Sequence, residues 1–302
     1  VNYRVVRNAS FPYWCFYRWG YSPQSATMEI KNGTTTTDDN GKFKIDFIAQ
    51  PDQSVKKEFS PTYSYTIYAD VVDVNGETHS ANTSVYVGYK ALNINIDVPK
   101  EVNKSAIDTF KFNTTNLNGE LEPTKGNVKI WALKMPKQFY RNSIIGKGDR
   151  HYIAKEDFVK NFPHDVFNDE NNPFKWKKNS KVYDHNFNTK NKQSIQFFHL
   201  PEWSVGYYVL EATTTDKFGQ KVKEIKYFTV FNKNGKTIPT NKIGWFSAIK
   251  KQGEPGEKAV FLIGSAAKNV NVLYEIEHKN KIISSERFVL KSGEQRKITI
   301  PI

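Results

Sequence analysis

The chain has a single cysteine in 302 residues. Cys15 therefore has no intrachain disulfide partner, and neither a CxxC redox motif nor a paired-cysteine zinc site can form. It lies in the aromatic run Tyr13-Trp14-Cys15-Phe16-Tyr17, which reads as a buried structural thiol rather than a nucleophile. Apolar residues never run to the ~18 needed for a membrane-spanning helix, and no charged-then-apolar leader is present. Five consecutive basic residues occur nowhere, although Lys and Arg outnumber Asp and Glu by 44 to 31. The net charge of +13 and the pI near 9.4 are thus spread over many solvated polar faces, which excludes a nucleic-acid-binding patch as the first reading. GxSxG, P-loop and GxGxxG motifs are missing. The six histidines, at 79, 151, 164, 185, 199 and 278, show no HxxxH or HExxH spacing, so no metal or cofactor is expected.

What the chain does have is aromatic residues and alternation. Tyr 16, Phe 21 and Trp 6 favour strands. Phe43, Ile45 and Phe47 alternate with Lys42, Lys44 and Asp46; Leu92, Ile94, Ile96 and Val98 with Asn93, Asn95 and Asp97; Val270, Val272, Tyr274 and Ile276 repeat the pattern. Period two marks strands with one buried face. Asn-Gly pairs begin at Asn32, Asn40, Asn75, Asn118 and Asn234 and predict hairpins, because both residues tolerate positive φ. Many short strands joined by such turns predict an all-β fold of antiparallel β-sandwiches.

One segment occurs twice. YTIYADVVDVNGETHSANTSVYV at 65–87 and YVLEATTTDKFGQKVKEIKYFTV at 208–230 share Tyr65/Tyr208, Ala69/Ala212, Asp73/Asp216, Gly76/Gly219 and Val87/Val230 at constant offset. A repeat points to an array of similar units, whose function resides in the array rather than in one pocket. The boundaries that follow are 1–90, 91–235 and 236–302. The second unit predicts strands at 92–98, 109–114, 128–133, 195–200, 207–213 and 222–230. The first matches it from 3–7 onward, so its two opening strands are expected to be missing; the third is expected to be cut after its first half. Val1 already reads as strand, so the chain is expected to be a piece of a longer polypeptide. The second unit carries an insertion, 136–194, mostly irregular, with a short helix at 154–162 closed by Pro163. Its aromatics include Phe167, Phe174, Trp176 and Tyr183; Trp176, Phe174 and Tyr183 are the candidate interaction surface.

Chemistry finds few footholds. Asp73-Val74-Asn75-Gly76-Glu77 looks like part of a calcium loop but lacks the later acidic ligand, and its counterpart Asp216-Lys217-Phe218-Gly219 keeps only the turn residues; it reads as a turn. The acidic pairs Asp38-Asp39, Glu156-Asp157 and Asp169-Glu170 are sequence neighbours, which on a strand point to opposite faces. Trp131 and Trp176 are candidates for stacking on sugar rings. Asn-x-Ser/Thr sites begin at Asn8, Asn32, Asn82, Asn103 and Asn113, in a Lys/Asn/Ile-rich composition that suggests a bacterial source. No catalytic residue is assigned, and the chain is not expected to be an enzyme.

Several phrases in order carry a resemblance. They are 37–43 (TDDNGKF) leading into Ile45-Asp46-Phe47 and Pro51, then 65–70, Asp73-Val74-Asn75-Gly76-Glu77-Thr78 and Val85-Tyr86-Val87-Gly88-Tyr89. Next come 114–120 (TTNLNGE), Pro255-Gly256-Glu257-Lys258-Ala259 and, in the insertion, Glu156-Asp157-Phe158, Phe162-Pro163 and Trp176. Together they resemble the macroglobulin (MG, MG2) domains, immunoglobulin-like β-sandwiches, of bacterial alpha-2-macroglobulin-like proteins of the Bacteroidetes type. The resemblance implies non-enzymatic scaffold domains of a protease trap (an endopeptidase inhibitor) of the cell envelope, in the periplasm or on the outer cell surface. The implied partners are proteases, met through the full-length protein, and other macroglobulin domains of the same chain; nucleic acid and membrane insertion are not implied. Trapping in many members of the family uses a Cys–Gln thioester. Ser292-Gly293-Glu294-Gln295 lacks the cysteine and reads as a turn. The alternative is a cell-surface adhesin or glycan-binding array using the aromatic insertion.

Overall fold

The computed structural model describes residues 1–12, 23–106, 109–141 and 152–302; Cys15 and His151 lie outside them. The second unit has two facing sheets and sets the template. Its strands are β5 (Leu92–Asp97), β6 (Glu101–Asn103), β7 (Thr109–Asn116), β8 (Lys125–Leu133), β9 (Lys178–Asn188), β10 (Ser194–Gln196), β11 (Gly206–Thr215) and β12 (Lys221–Phe231). They form two sheets, β10-β7-β5 and β6-β12-β11-β8-β9. The alternating apolar sides of both meet: Leu92, Ile94, Ile96, Phe110 and Phe112 from one pack on Val128, Ile130, Leu210, Ala212 and Phe228 from the other. Burial of these faces, at ~25 cal/mol per Å² of apolar surface, is what closes the sandwich. Tyr208, at the start of β11, is buried in this core and donates its hydroxyl to the Ser204 carbonyl at 2.6 Å, the corner that ties an immunoglobulin-type sheet to its incoming loop.

The first unit has β1 (Asn2–Ser10), β2 (Met28–Thr34), β3 (Thr62–Val72) and β4 (Thr78–Gly88), in the order β2-β1-β3-β4. This is the β9-β8-β11-β12 sheet again. Tyr65 faces Val85 as Tyr208 faces Phe228, and Tyr3 faces Ala69 as Val128 faces Ala212. The repeat in the sequence is thus one hairpin used twice in one register. Residues 42–47, expected as a strand, belong to no sheet. Ile45, Phe47 and Ala49 still turn inward onto Val5, Tyr63, Tyr65 and Ile67. Their counterpart β10 pairs with β7, and among the described residues the first unit has no equivalent of β5 and β7 to pair with.

The third unit has β13 (Trp245–Lys250), β14 (Lys258–Ser265), β15 (Val270–His278), β16 (Lys281–Leu290) and β17 (Glu294–Pro301). The order β13-β14-β17 repeats β5-β7-β10, and β15-β16 repeats β8-β9. The fold is therefore a tandem array of antiparallel β-sandwich units.

Two expectations change. The insertion is shorter than 136–194, because its last stretch is β9, which pairs along β8 and occupies the position of β2. Val182, Tyr183 and Phe187 on β9 pack on the core, and the adjacent pair Val182-Tyr183 at the register shift breaks the period of two. The helix is α1 (Lys155–Asn161), and Phe158 packs its ring on Phe162 and Phe167 at 5.4 and 5.3 Å. The Asn-Gly pairs also work differently. At 40–41, 75–76 and 118–119 only the glycine has positive φ, +74°, +84° and +86°, and Asn32-Gly33 lies inside β2 opposite Arg4 and Tyr3. The turn with two positive φ values is Lys279-Asn280, at 49° and 59°, between β15 and β16.

In the first unit the buried Arg7 reaches from β1 to the loop after 49. It donates to the Gln50 carbonyl at 3.2 Å and lies 3.5 Å from Asp52. The Ser25 hydroxyl, then the Ser54 hydroxyl and N–H, and also Arg7, hold the Asp52 carboxyl down to about 2. A carboxyl lowered on folding stabilises fully above its unfolded value near 3.8, and the contribution fades as pH falls toward 2. Urea unfolding of the chain and of Asp52→Asn should show a gap in midpoint at about pH 5 that narrows by about pH 2.5; a gap independent of pH would contradict this role.

Candidate functional site

Four turns share one closure. At Asp38, Asp73, Asn116 and Asp216 the side-chain Oδ1 accepts the N–H groups two and four residues on, at 2.8–3.0 Å. In each, the backbone N–H of the Asx residue also bonds the carbonyl four residues on. This is an Asx turn with glycine at the left-handed position. Asp73 is therefore a turn residue, as its sequence indicates. Sequence spacing does not reveal that Asp73, Glu77 and His79 each bring one ligand atom within 4.8 Å of the others at this exposed tip.

Asp216 does more than close its turn. Its Oδ2 accepts the N–H of Ala91 at 2.9 Å, the residue that joins the first unit to the second. Burial pushes the Asp216 carboxyl up, but the N–H donors of Ala91, Gln220 and Phe218 outweigh it and the net is below the usual carboxylate range. Beside it, the N–H of Tyr86 in β4 donates to Asn118 Oδ1 at 2.8 Å, so the β7–β8 turn grips the edge of the preceding sheet. Leu117 packs where Gly88 has no side chain.

The joint between the second and third units is built differently. Phe231, Ile238, Trp245 and Leu262 form one apolar cluster across it. The Ser247 hydroxyl donates to Glu101 at 2.5 Å. Gln295 is buried, and its amide donates to the carbonyls of Asn232 and Gly235 at 2.7 and 2.8 Å. Ser292-Gly293-Glu294-Gln295 is thus the β16–β17 turn, with Gly293 at φ +71°, holding the linker.

The aromatic surface divides. Tyr183 is only 5% exposed, in the core of the second unit, with its hydroxyl on the Gln196 carbonyl and burial pushing it up to about 12; it shares no surface with the other two. Trp176 is partly buried, edge-on to Tyr207 with ring centres 5.0 Å apart, and donates Nε1 to the Glu170 carbonyl at 2.8 Å. Phe174 is 66% exposed and edge-on to Tyr227 at 4.6 Å. These two lay the insertion over the outer face of the five-stranded sheet, where Val209 is buried although it points away from the sandwich core. Trp131 on the same face is covered by Lys178, whose Nζ sits 3.8 Å from the ring centre and 2.8 Å from Glu211.

No family model matches the chain, and no curated protein matches its sequence. Among solved structures it is similar over its full length to alpha-2-macroglobulin of E. coli in its native conformation, at 10% identity and TM-score 0.30. It is likewise similar to a mutant alpha-2-macroglobulin of Salmonella, at 10% and 0.31. A calcium-stabilised, ice-binding adhesin of an Antarctic bacterium is similar at 10% and 0.18, over 57% of its chain. The present chain spans 18% of the length of the two alpha-2-macroglobulin chains. Among the described residues no helix is long and apolar enough to cross a membrane.

Asp216→Asn should separate the two roles of the carboxylate. Asn116 shows that an amide closes the same turn, but an amide nitrogen on the far side offers Ala91 no acceptor. Hydrogen exchange at Ala91 should rise tenfold or more with the turn retained, whereas Asp216→Ala should also cost ~2–3 kcal/mol of stability. Unchanged exchange at Ala91 in Asp216→Asn would show that the linker is held by other contacts.

Proposed function

We propose that the chain is a non-enzymatic scaffold segment of an alpha-2-macroglobulin-like protease-trapping protein of the bacterial cell envelope, in the periplasm or on the outer surface. Its partners are then neighbouring domains of the same protein and, through the full-length molecule, proteases. The observation that carries this reading is the array itself. The same hairpin is used in one register in successive sandwich units, and the linkers between units are held by side chains of the next unit. Such joints fix the relative placement of rigid bodies and can be exchanged for another set when the bodies re-dock. The ordered sequence phrases of the macroglobulin domains support the family, and the burial of Gln295 suits a turn without thioester chemistry.

The test uses the full-length protein mixed with a broad-specificity protease. Activity on a small chromogenic peptide should persist while activity on a large protein substrate is lost; equal retention of both would remove the trap reading.

The second reading is an adhesin or glycan-binding array, favoured by the exposure of Phe174 beside Tyr227. It predicts saturable polysaccharide binding that Phe174→Ala weakens at least tenfold, and that deletion of 137–177, which spares β9, abolishes. A glycan screen without saturable binding would eliminate it.

A further inference from the structure

Edge strands are usually blunted against pairing by bulges, lysines, prolines or a covering segment. In this chain β2, β9, β13 and β16 each have a register shift against their neighbour, and the regular β4 is gripped at Tyr86 by Asn118. β5 has none of these. Its sequence, Leu-Asn-Ile-Asn-Ile-Asp, contains neither lysine nor proline, it pairs with β7 without a shift, and among the described residues no strand pairs with its other edge.

That edge opens on a groove of about 900 Å³ beneath the first unit. The opposite wall includes 222–226 of β12, whose own outer edge is unpaired there because β6 covers only Thr229, Val230 and Phe231. Among the described residues, two strand edges without a ladder partner thus flank one cleft. Its charged lining is Lys90, Lys111, Lys223 and Lys226 against Asp97 and Glu224. Lys223 and Lys226 are engaged by Glu211 and Glu224, whereas Lys90 and Lys111 are exposed and make no ion pair among the described residues.

We propose that this groove is a strand-accepting site. An extended segment of a partner polypeptide, with acidic side chains at alternate positions, adds to the free edge of β5. Backbone bonds to β5 supply the affinity, and Lys90 and Lys111 select the acidic side chains. The six residues of β5 set the length of the segment at roughly 20 Å. The site is independent of the trap reading, since it requires only the second unit and the overhang of the first.

The test is hydrogen exchange on the 302-residue chain with two capped heptapeptides, one alternating glutamate with valine and the other lysine with valine. The glutamate probe should slow exchange of the groove-facing amides of Leu92–Asp97 tenfold or more, and added salt should weaken it. The lysine probe should need at least ten times the concentration. In the double variant Lys90→Glu, Lys111→Glu the preference should reverse, and an unchanged melting temperature confirms that the fold is kept. The proposal is overturned if millimolar probe leaves β5 exchange unchanged, or if β4 is slowed equally. It is also overturned if both probes bind alike, or if a neutral hexasaccharide gives the protection instead.

Discussion

A carboxylate or amide that closes its own turn is the interaction on which the rest of this molecule depends. At Asp38, Asp73, Asn116 and Asp216 a side-chain oxygen takes two backbone N–H groups that would otherwise be unpaired at a tight reversal. The reversal then has a fixed length, and a fixed length sets which side chains of the two strands face inward. Tyr65, Ile67 and Ala69 in one hairpin, and Tyr208, Leu210 and Ala212 in the other, are buried because Asp73 and Asp216 stand where they do.

The same turns also make the array. A closed turn is a rigid projection with one oxygen or amide to spare, and two of these projections reach the neighbouring unit. Asp216 holds Ala91, and Asn118 holds the end of β4. The side of the molecule that terminates hairpins is therefore also the side that sets the angle between units, so packing within a unit and placement between units share residues. The third unit reaches the second by another route, through the Phe231–Trp245 cluster and the buried amide of Gln295.

Much of this was legible in the sequence, because alternation and turn residues are local signals. Six of the eight strands of the second unit, the helix at Lys155–Asn161 and the equivalence of β1 with β8 follow from period, the closing Pro163 and the repeat. Three features were hidden for physical reasons. β9 lies mostly on a polar edge, and its core-packed Val182, Tyr183 and Phe187 straddle a register shift that breaks the period. Residues 42–47 have the pattern of a strand, but a strand is a property of a pair, and among the described residues no strand pairs with them. The roles of Tyr183 and Phe174 separate only in three dimensions: both are aromatic in a polar stretch, yet one lies in the core and the other on the surface. Likewise the Ala91–Asp216 bond joins residues 125 apart in the chain, a link that only the folded array can reveal.

The unlike construction of the two joints gives them unlike responses to temperature. The joint at Ala91 rests on hydrogen bonds to a carboxylate and an amide, whereas the joint at Trp245 buries an apolar cluster. Apolar contacts weaken on cooling. In the cold the apolar part of the second linkage therefore weakens relative to the first, and its hold passes to the amide of Gln295 and the hydroxyl of Ser247.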